Sequence, residues 1–298
     1  MMDFSVIVCN YNGSNDDIEF TLKSLISQEK TDFELIFSDD GSRNNPSSFV
    51  ENFFIKNNFS NYKLRIGKTN IGTVNALFEA VKLASGKYIK PIGVGDAFVY
   101  NRVLYDIKKF MDENNSRILF TGIIPFSWSG NKMNRISNFT IPGSTRCWKN
   151  NKYEKAKEHI VVFNDQISGA SMFYENKYMK YLMNTMCLST KYMEDLCQYI
   201  ALLEGEKIFY YPKNCILYEF NTGISTNHSQ SNMIRMKTDK NLFLDYLYKT
   251  YPNDRLLKRR RKLENLDTNK HNKILKGILK EVYEPKWIFF KLLKMKRK

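Results

Sequence analysis

Apolar residues along the first 125 positions come in short blocks that alternate between two spacings. Phe4-Ser5-Val6-Ile7-Val8-Cys9 and Phe33-Glu34-Leu35-Ile36-Phe37 are compact apolar runs that stop at polar residues, Asn10-Tyr11-Asn12-Gly13 and Ser38-Asp39-Asp40-Gly41-Ser42. Such runs read as buried strands. Between them Ile18, Leu22, Leu25 and Ile26 recur at helical spacing, so the unit is strand, helix, strand, a connection that makes the two strands parallel neighbours. A helical stretch near Ser47 to Asn57 then precedes a short strand, Tyr62 to Ile66. Asn70-Ile71-Gly72 opens a helix carrying Val74, Leu77, Phe78 and Val81, and Ser85-Gly86 stops it. The strand Lys87 to Ile92 leads into Gly93-Val94-Gly95-Asp96; a helix with Val103, Ile107 and Phe110 follows, then a strand from Arg117 to Ile124. Strands alternating with helices in this way predict a doubly wound α/β domain. From about Pro125 to Asn164 the periodicity fails, and Phe126, Trp128 and Trp148 stand among Ser, Asn, Gly and Lys. That stretch reads as a long loop over a substrate cleft. Ligands of open parallel sheets bind just beyond the carboxyl ends of the strands, which is where Tyr11 and Asp39 fall.

Composition narrows the class. A chain of 298 residues with 43% hydrophobic content has core enough for one large or two modest domains. No apolar run reaches the roughly 18 residues of a membrane span, and Asp3 stands where a secretory leader would be basic, so the expected location is the cytoplasm. Cys9, Cys147, Cys187, Cys197 and Cys215 are odd in number and widely spaced, which argues against a disulfide framework or structural zinc and for reduced thiols.

Charge is concentrated at one end. Residues 255–298 hold 16 Lys and Arg against 4 Asp and Glu, which is +12 of the chain's net +15. A nucleic-acid protein spreads such charge over its folded face, whereas a basic tail with apolar positions suits an anionic membrane surface. Ile274, Leu275, Ile278, Leu279 and Val282 share a helical arc opposite Lys273, Lys276 and Lys280, and Trp287-Ile288-Phe289-Phe290 follows among lysines. Two readings stand: contact with the inner face of the cell membrane, or a terminal helix docked on the domain with a solvated lysine face.

Several motifs in a fixed order carry a resemblance. They are the opening strand with Tyr11-Asn12, the Asp39-Asp40-Gly41-Ser42 run, Asn70-Ile71-Gly72 with Asn75 and Ala76, Ser85-Gly86-Lys87-Tyr88-Ile89, the acidic turn at Asp96, and Met193-Glu194-Asp195. From about Phe4 to Asn227 the chain resembles the inverting glycosyltransferases of family 2, and most closely bacterial enzymes that build capsule or other surface polysaccharides. The resemblance implies a GT-A fold over residues 1–228, with a donor half at about 1–124 and an acceptor half at 125–228, followed by a basic helical extension at 229–298. It also implies a nucleotide-sugar donor, UDP-linked by the pattern, and a saccharide or lipid-linked saccharide acceptor.

Each site residue has a chemical reason and a plainer alternative. A diphosphate leaving group concentrates negative charge, and Mn2+ or Mg2+ on hard oxygen ligands is the usual stabiliser. By the resemblance Asp96 is the metal ligand in a DxD-like turn, but Gly95 has no side chain to offer the ribose, so weak metal binding or none is open. Asp96 could instead cap the helix that follows. Asp39 and Tyr11 match the groups that bind and stack on uracil, with Cys9, Asn12 and Asn70 beside them on the donor side; Asp39-Asp40-Gly41-Ser42 is equally good turn chemistry. Inverting transfer needs one base to take the acceptor proton, and the resemblance assigns this to Asp195 with Glu194 positioning, against a pair of acids at a helix amino terminus. Gln166 to Phe173 resembles the segment before the acceptor-side strand, or is a turn. His228, in the polar stretch after Tyr218, is a further metal-ligand candidate or a surface histidine. Two other functions compete: a nucleotidyltransferase, which normally opens with a Gly-rich basic loop that Cys9-Asn10-Tyr11-Asn12-Gly13 lacks, and a noncatalytic binding relative.

Overall fold

The computed structural model describes residues 2–136, 141–220 and 229–268, with side chains as far as 266. Its elements run β1 (Phe4–Asn10), α1 (Asn15–Ile26), β2 (Phe33–Asp39), α2 (Ser47–Lys56), β3 (Tyr62–Ile66), α3 (Thr73–Lys82), β4 (Tyr88–Gly93), β5 (Ala97–Phe98) and α4 (Val103–Glu113). There follow β6 (Ile118–Ser129), β7 (Lys132–Arg135), α5 (Arg146–Lys149), α6 (Tyr153–Phe163), β8 (Met172–Glu175), α7 (Asn176–Met186), α8 (Cys197–Leu203), β9 (Ile208–Glu219), α9 (Gln230–Thr250) and α10 (Arg255–Thr268). The strands form one sheet in the order β3-β2-β1-β4-β8-β6-β9-β5, with β7 hanging from β6. Strands β3, β2, β1 and β4 are parallel, β8 enters antiparallel between β4 and β6, and β6 runs parallel to β9.

Period-two alternation sorts the side chains into two cores. Ile7, Ile36, Ile89, Ile118 and Phe120 face α3, α6, α7 and α8, while Phe4, Val6, Val8, Leu35, Phe37 and Leu119 face α1, α2 and α4. Successive strand residues point to opposite faces, so continuous apolar runs such as Phe4 to Cys9 are what a sheet covered on both sides requires. The doubly wound α/β expectation therefore holds. At the amino ends of the strands, Ser5 Oγ and the Ser85 N–H and Oγ donate to Glu34 Oε1, and Gly86 N–H donates to Ser5 Oγ. This network is what the Ser85-Gly86 pair does: a Cβ on Gly86 would collide with the Phe4–Ser5 backbone.

One expectation needs correction, and two open points are narrowed. The stretch 125–164 is not an irregular loop: β6 continues to Ser129 and turns back through β7, and helices α5 and α6 follow. Helix α6 follows Lys152, which makes no side-chain cap, and is closed by Asn164 in the left-handed region, so the usual start signal is missing although Ala156, Ile160 and Phe163 recur on its buried side. The helix after Asp96 starts only at Val103. The start of the basic run is docked: Leu263 of α10 packs on Val162 and Phe163 of α6, and Arg260, 3% exposed, donates to Val161 O and Asn164 Oδ1. The amphipathic stretch from Lys273 onward lies outside the described residues. Among the described residues no helix is long and apolar enough to cross a membrane, and all five cysteines are unpaired.

Candidate active site

Parallel pairing aligns Cys9 with both Ser38 and Gly93, and Asn10 with Asp39. The polar ends of β1, β2 and β4 therefore open on one edge of the sheet. Asp39, 1% exposed, accepts from Asn10 Nδ2 at 2.7 Å and from the Ser42 hydroxyl through Oδ1, and from Ser42 N–H at 2.9 Å through Oδ2. Ser42 Oγ also takes the Asn12 N–H, and Asn12 Oδ1 takes the Arg43 N–H. The side chain of Asn12 thus closes the loop at the end of β1, with its own φ at +57°, and Tyr11 beside it stands 51% exposed. Asp40 accepts from the N–H groups of Ile71 and Gly72 at 3.0 and 2.9 Å. It satisfies amides at the amino end of α3 and ties the acidic turn to the Asn70-Ile71-Gly72 turn. Gly41, at φ +74°, lets Thr69 and Asn70 lie directly against it.

Asp96 caps no helix. Its Oδ1 accepts the Glu219 N–H at 2.9 Å, and burial, opposed by the Lys90 charge and reinforced by Glu219, pushes its carboxyl up to about 7. Gly95 adopts φ +97°, and a Cβ there would sit inside the Oε2 of Glu219. Strand β9 therefore lays a second carboxylate over the position where the turn has no side chain. Among the described residues no three His, Cys, Asp or Glu side chains converge as a self-sufficient metal site. Asp96 and Glu219 fit a divalent cation that takes its remaining ligands from a donor. His228 lies outside the described residues.

Glu194 and Asp195 occupy a 3-10 turn, Glu194–Leu196, that leads into α8. Their partner across the cleft is the 3-10 turn Gly169–Ser171 before β8: a Cβ on Gly169 would stand 3.1 Å from both Asp195 Cβ and Glu194 Oε1. Gln198, fully buried, accepts the Ile167 N–H and donates to the carbonyls of Ile167 and Asp195 at 2.8 to 3.1 Å. It locks the two turns together. Burial raises both carboxyls above the ordinary range, and the charge of Asp195 raises Glu194 further. Cys9 faces this side, and burial followed by the charge of Glu194 pushes its thiol up to about 12, so it meets a ligand as a neutral thiol.

Lys90 is buried where the sheet divides. Strands β4 and β8 pair only through Tyr88 and Ile89; beyond that point Lys90 Nζ donates to the carbonyls of Ala170 and Met172 and lies 4.8 Å from the Phe173 ring centre. Burial pulls its ammonium down to about 7, opposed first by Asp96.

The model of the family described as Glycosyl transferase family 2 matches residues 5–179. The chain belongs to glycosyl transferase family 2. An uncharacterized glycosyltransferase of Rickettsia bellii strain RML369-C is 26% identical over 199 residues, covering 66% of this chain and 26% of that protein. The chain thus spans about a quarter of the length of this curated relative. Among solved structures, residues 1–349 of S. aureus TarS in complex with UDP align at 19% identity and a TM-score of 0.51, covering 92% of this chain and 68% of that one. The mannosyltransferase PcManGT of Pyrobaculum calidifontis, in complex with GDP-Man and Mn2+, aligns at 12% identity and a TM-score of 0.57, covering 98% of this chain and 84% of that one. These similarities carry the GT-A fold for this family 2 member.

Reading by motif missed Glu219, Gln198 and Lys90. Glu219 had a usable signal, a carboxylate closing the apolar-rich stretch Ile208 to Glu219, the same mark that singles out Asp39. A lone glutamine on a short helix and a lysine inside a strand carry none.

Proposed function

We propose that this chain transfers a sugar, with inversion, from a UDP-sugar to a saccharide or lipid-linked saccharide acceptor in surface-polysaccharide synthesis. The observation that carries the reading is the Glu194–Asp195 turn packed against Gly169, which sets two half-buried carboxyls side by side just ahead of α8. Two adjacent carboxyls suit a division of labour, one serving as base and the other as a positioning group. Asp195 takes the proton of the attacking acceptor hydroxyl, and Glu194 orients that hydroxyl. On the donor side, Tyr11 offers an exposed ring for stacking on the base, and Asp39 Oδ2, with one hydrogen bond from Ser42, offers a lone pair to a base N–H. Cys9, Asn12 and Asn70 shape this subsite, while Asp96 and Glu219 would hold Mn2+ or Mg2+. The ion supplies charge neutralisation for the diphosphate when bound.

Support for a nucleotide-sugar donor comes from the solved relatives, which are complexes with UDP, UDP-GlcNAc and GDP-Man. The basic region beyond α10 supports attachment to anionic lipid on the inner face of the cell membrane, which places the protein peripherally there. The test is a thermal-shift panel of nucleotides and nucleotide sugars with and without manganese, followed by turnover of Asp195→Asn with the donor so found. A ligand at 100 times its dissociation constant stabilises by about 2.7 kcal/mol. Loss of a positioned base lowers turnover by about 100- to 10,000-fold with donor binding retained. Donor binding without turnover in the unaltered chain would favour the noncatalytic reading.

A further inference from the structure

The segment just before the proposed base is held by a residue far away in sequence. Asp239, on α9 and 4% exposed, uses a single carboxylate oxygen, Oδ2, to accept from three successive backbone amides: Lys191 at 3.0 Å, Met193 at 3.2 Å and Tyr192 between them. Three converging N–H groups make an anion cradle, and hydrogen bonds to a charged acceptor are about twice as strong as neutral ones. Helix α9 grips this segment elsewhere as well. Arg235, one turn before Asp239, lies 5.4 Å from the Tyr192 ring centre. One turn after it, Phe243 meets Tyr199 of α8 edge-on at 5.9 Å. The same segment is pinned from the donor side, since Lys191 O accepts the Val74 N–H of α3 at 3.0 Å and the Lys191 side chain covers Gly72. Glu194 and Asp195 therefore leave a strap whose last three amides are fixed by one carboxylate.

We infer that Asp239 is a positioning residue for transfer: it sets the path of residues 191–193 and so the place of Asp195 in the cleft. The inference rests on Asp195 being the base. It also gives α9 a task in the chemistry although its residues lie after every motif of the sequence. A misplacement of about 1 Å costs up to about 100-fold in rate.

The experiment uses the full chain with Asp239→Ala and, in case the alanine variant does not fold, Asp239→Asn, which keeps an acceptor oxygen but loses the charge. Three quantities are read: amide hydrogen exchange over residues 189–196, affinity for UDP by calorimetry, and UDP release from the UDP-sugar that the thermal-shift panel selects. Exchange in that segment should accelerate while β1 and β2 stay protected. UDP affinity should hold within about twofold, and kcat should fall about 10- to 100-fold with the KM for donor unchanged. Added to Asp195→Asn, Asp239→Ala should lower kcat no further, because it acts through the residue already removed. Unchanged kcat despite faster local exchange, or losses that multiply in the double variant, would overturn the positioning role. Full turnover in Asp195→Asn alone would instead remove the base assignment, and with it the ground for this inference.

Discussion

Gly95→Ala is the perturbation that bears most directly on the donor turn. Gly95 adopts φ +97°, where an L side chain costs about 1–3 kcal/mol of backbone strain. The new methyl would also stand 2.1 Å from Glu219 Oε2, so that this carboxylate, on a residue 8% exposed, must swing aside. Overpacking of this kind costs a further 1–3 kcal/mol or so. The expected total is about 2–6 kcal/mol, read as a lower urea midpoint at unchanged slope. The decisive comparison is the same substitution in a Glu219→Ala background, where the collision is gone and only the strain remains, so the two changes should couple by about 1–3 kcal/mol. Manganese binding in the presence of UDP should weaken in Gly95→Ala and in Glu219→Ala, because either change takes the second carboxylate from Asp96. Equal destabilisation by Gly95→Ala in both backgrounds would refute the packing argument, and undiminished manganese binding in Glu219→Ala would refute the place given to Glu219.

Other expectations are open to direct measurement. Asp39→Ala should weaken UDP binding by roughly 1–3 kcal/mol in calorimetry; unchanged affinity removes Asp39 from the donor subsite. Burial raises the Glu34 carboxyl, but bonds from Lys63, Ser5 and Ser85 outweigh this and leave it at about 2, against an ordinary 4.5. A depressed folded value stabilises above 4.5 and loses that contribution as pH falls toward 2, so Glu34→Gln should flatten acid denaturation in that window, and an unaltered profile would contradict it. The acid limb of kcat should lie above the ordinary carboxylate range, since burial raises Asp195; a limb near pH 4 would argue against Asp195 as base. Deleting residues after Asn269 should abolish salt-sensitive binding to phosphatidylserine vesicles, each lysine being worth about 1 kcal/mol at the surface, while turnover with soluble donor persists. Vesicle binding by the truncated chain would place the membrane contact elsewhere.

The first 124 residues were legible because their signals are local. The strands from Phe4 to Ile92 are short apolar-rich runs followed by Asn, Asp or Gly, and each helix between shows its buried stripe within one window. Past Ile124 the determinants become long-range. Trp128 pairs with Met133 of β7 and stacks edge-on with Phe20 of α1, and neither partner can be inferred from its neighbours in sequence. The site divides in the same way. Asp39 and Asp96 stand at strand ends where the pattern points, and Asp40 proves to be the link between two turns, whereas Glu219 beside the Gly95 turn and Gln198 behind the Glu194–Asp195 turn come from elements whose register only the folded sheet settles.

Lys90 bears on whether the two halves of the domain can exist apart. Its ammonium lies among apolar walls, and both carbonyls that receive it, Ala170 and Met172, come from beyond residue 124. A fragment ending at 124 would keep the lysine and lose its acceptors, leaving a charge to be either hydrated through a breached core or neutralised. The parallel block, self-contained as its sequence looks, is thus not expected to fold on its own. Complementation between separately expressed pieces, or grafting of a foreign acceptor half, would succeed only where the incoming chain returns two carbonyl oxygens to that spot.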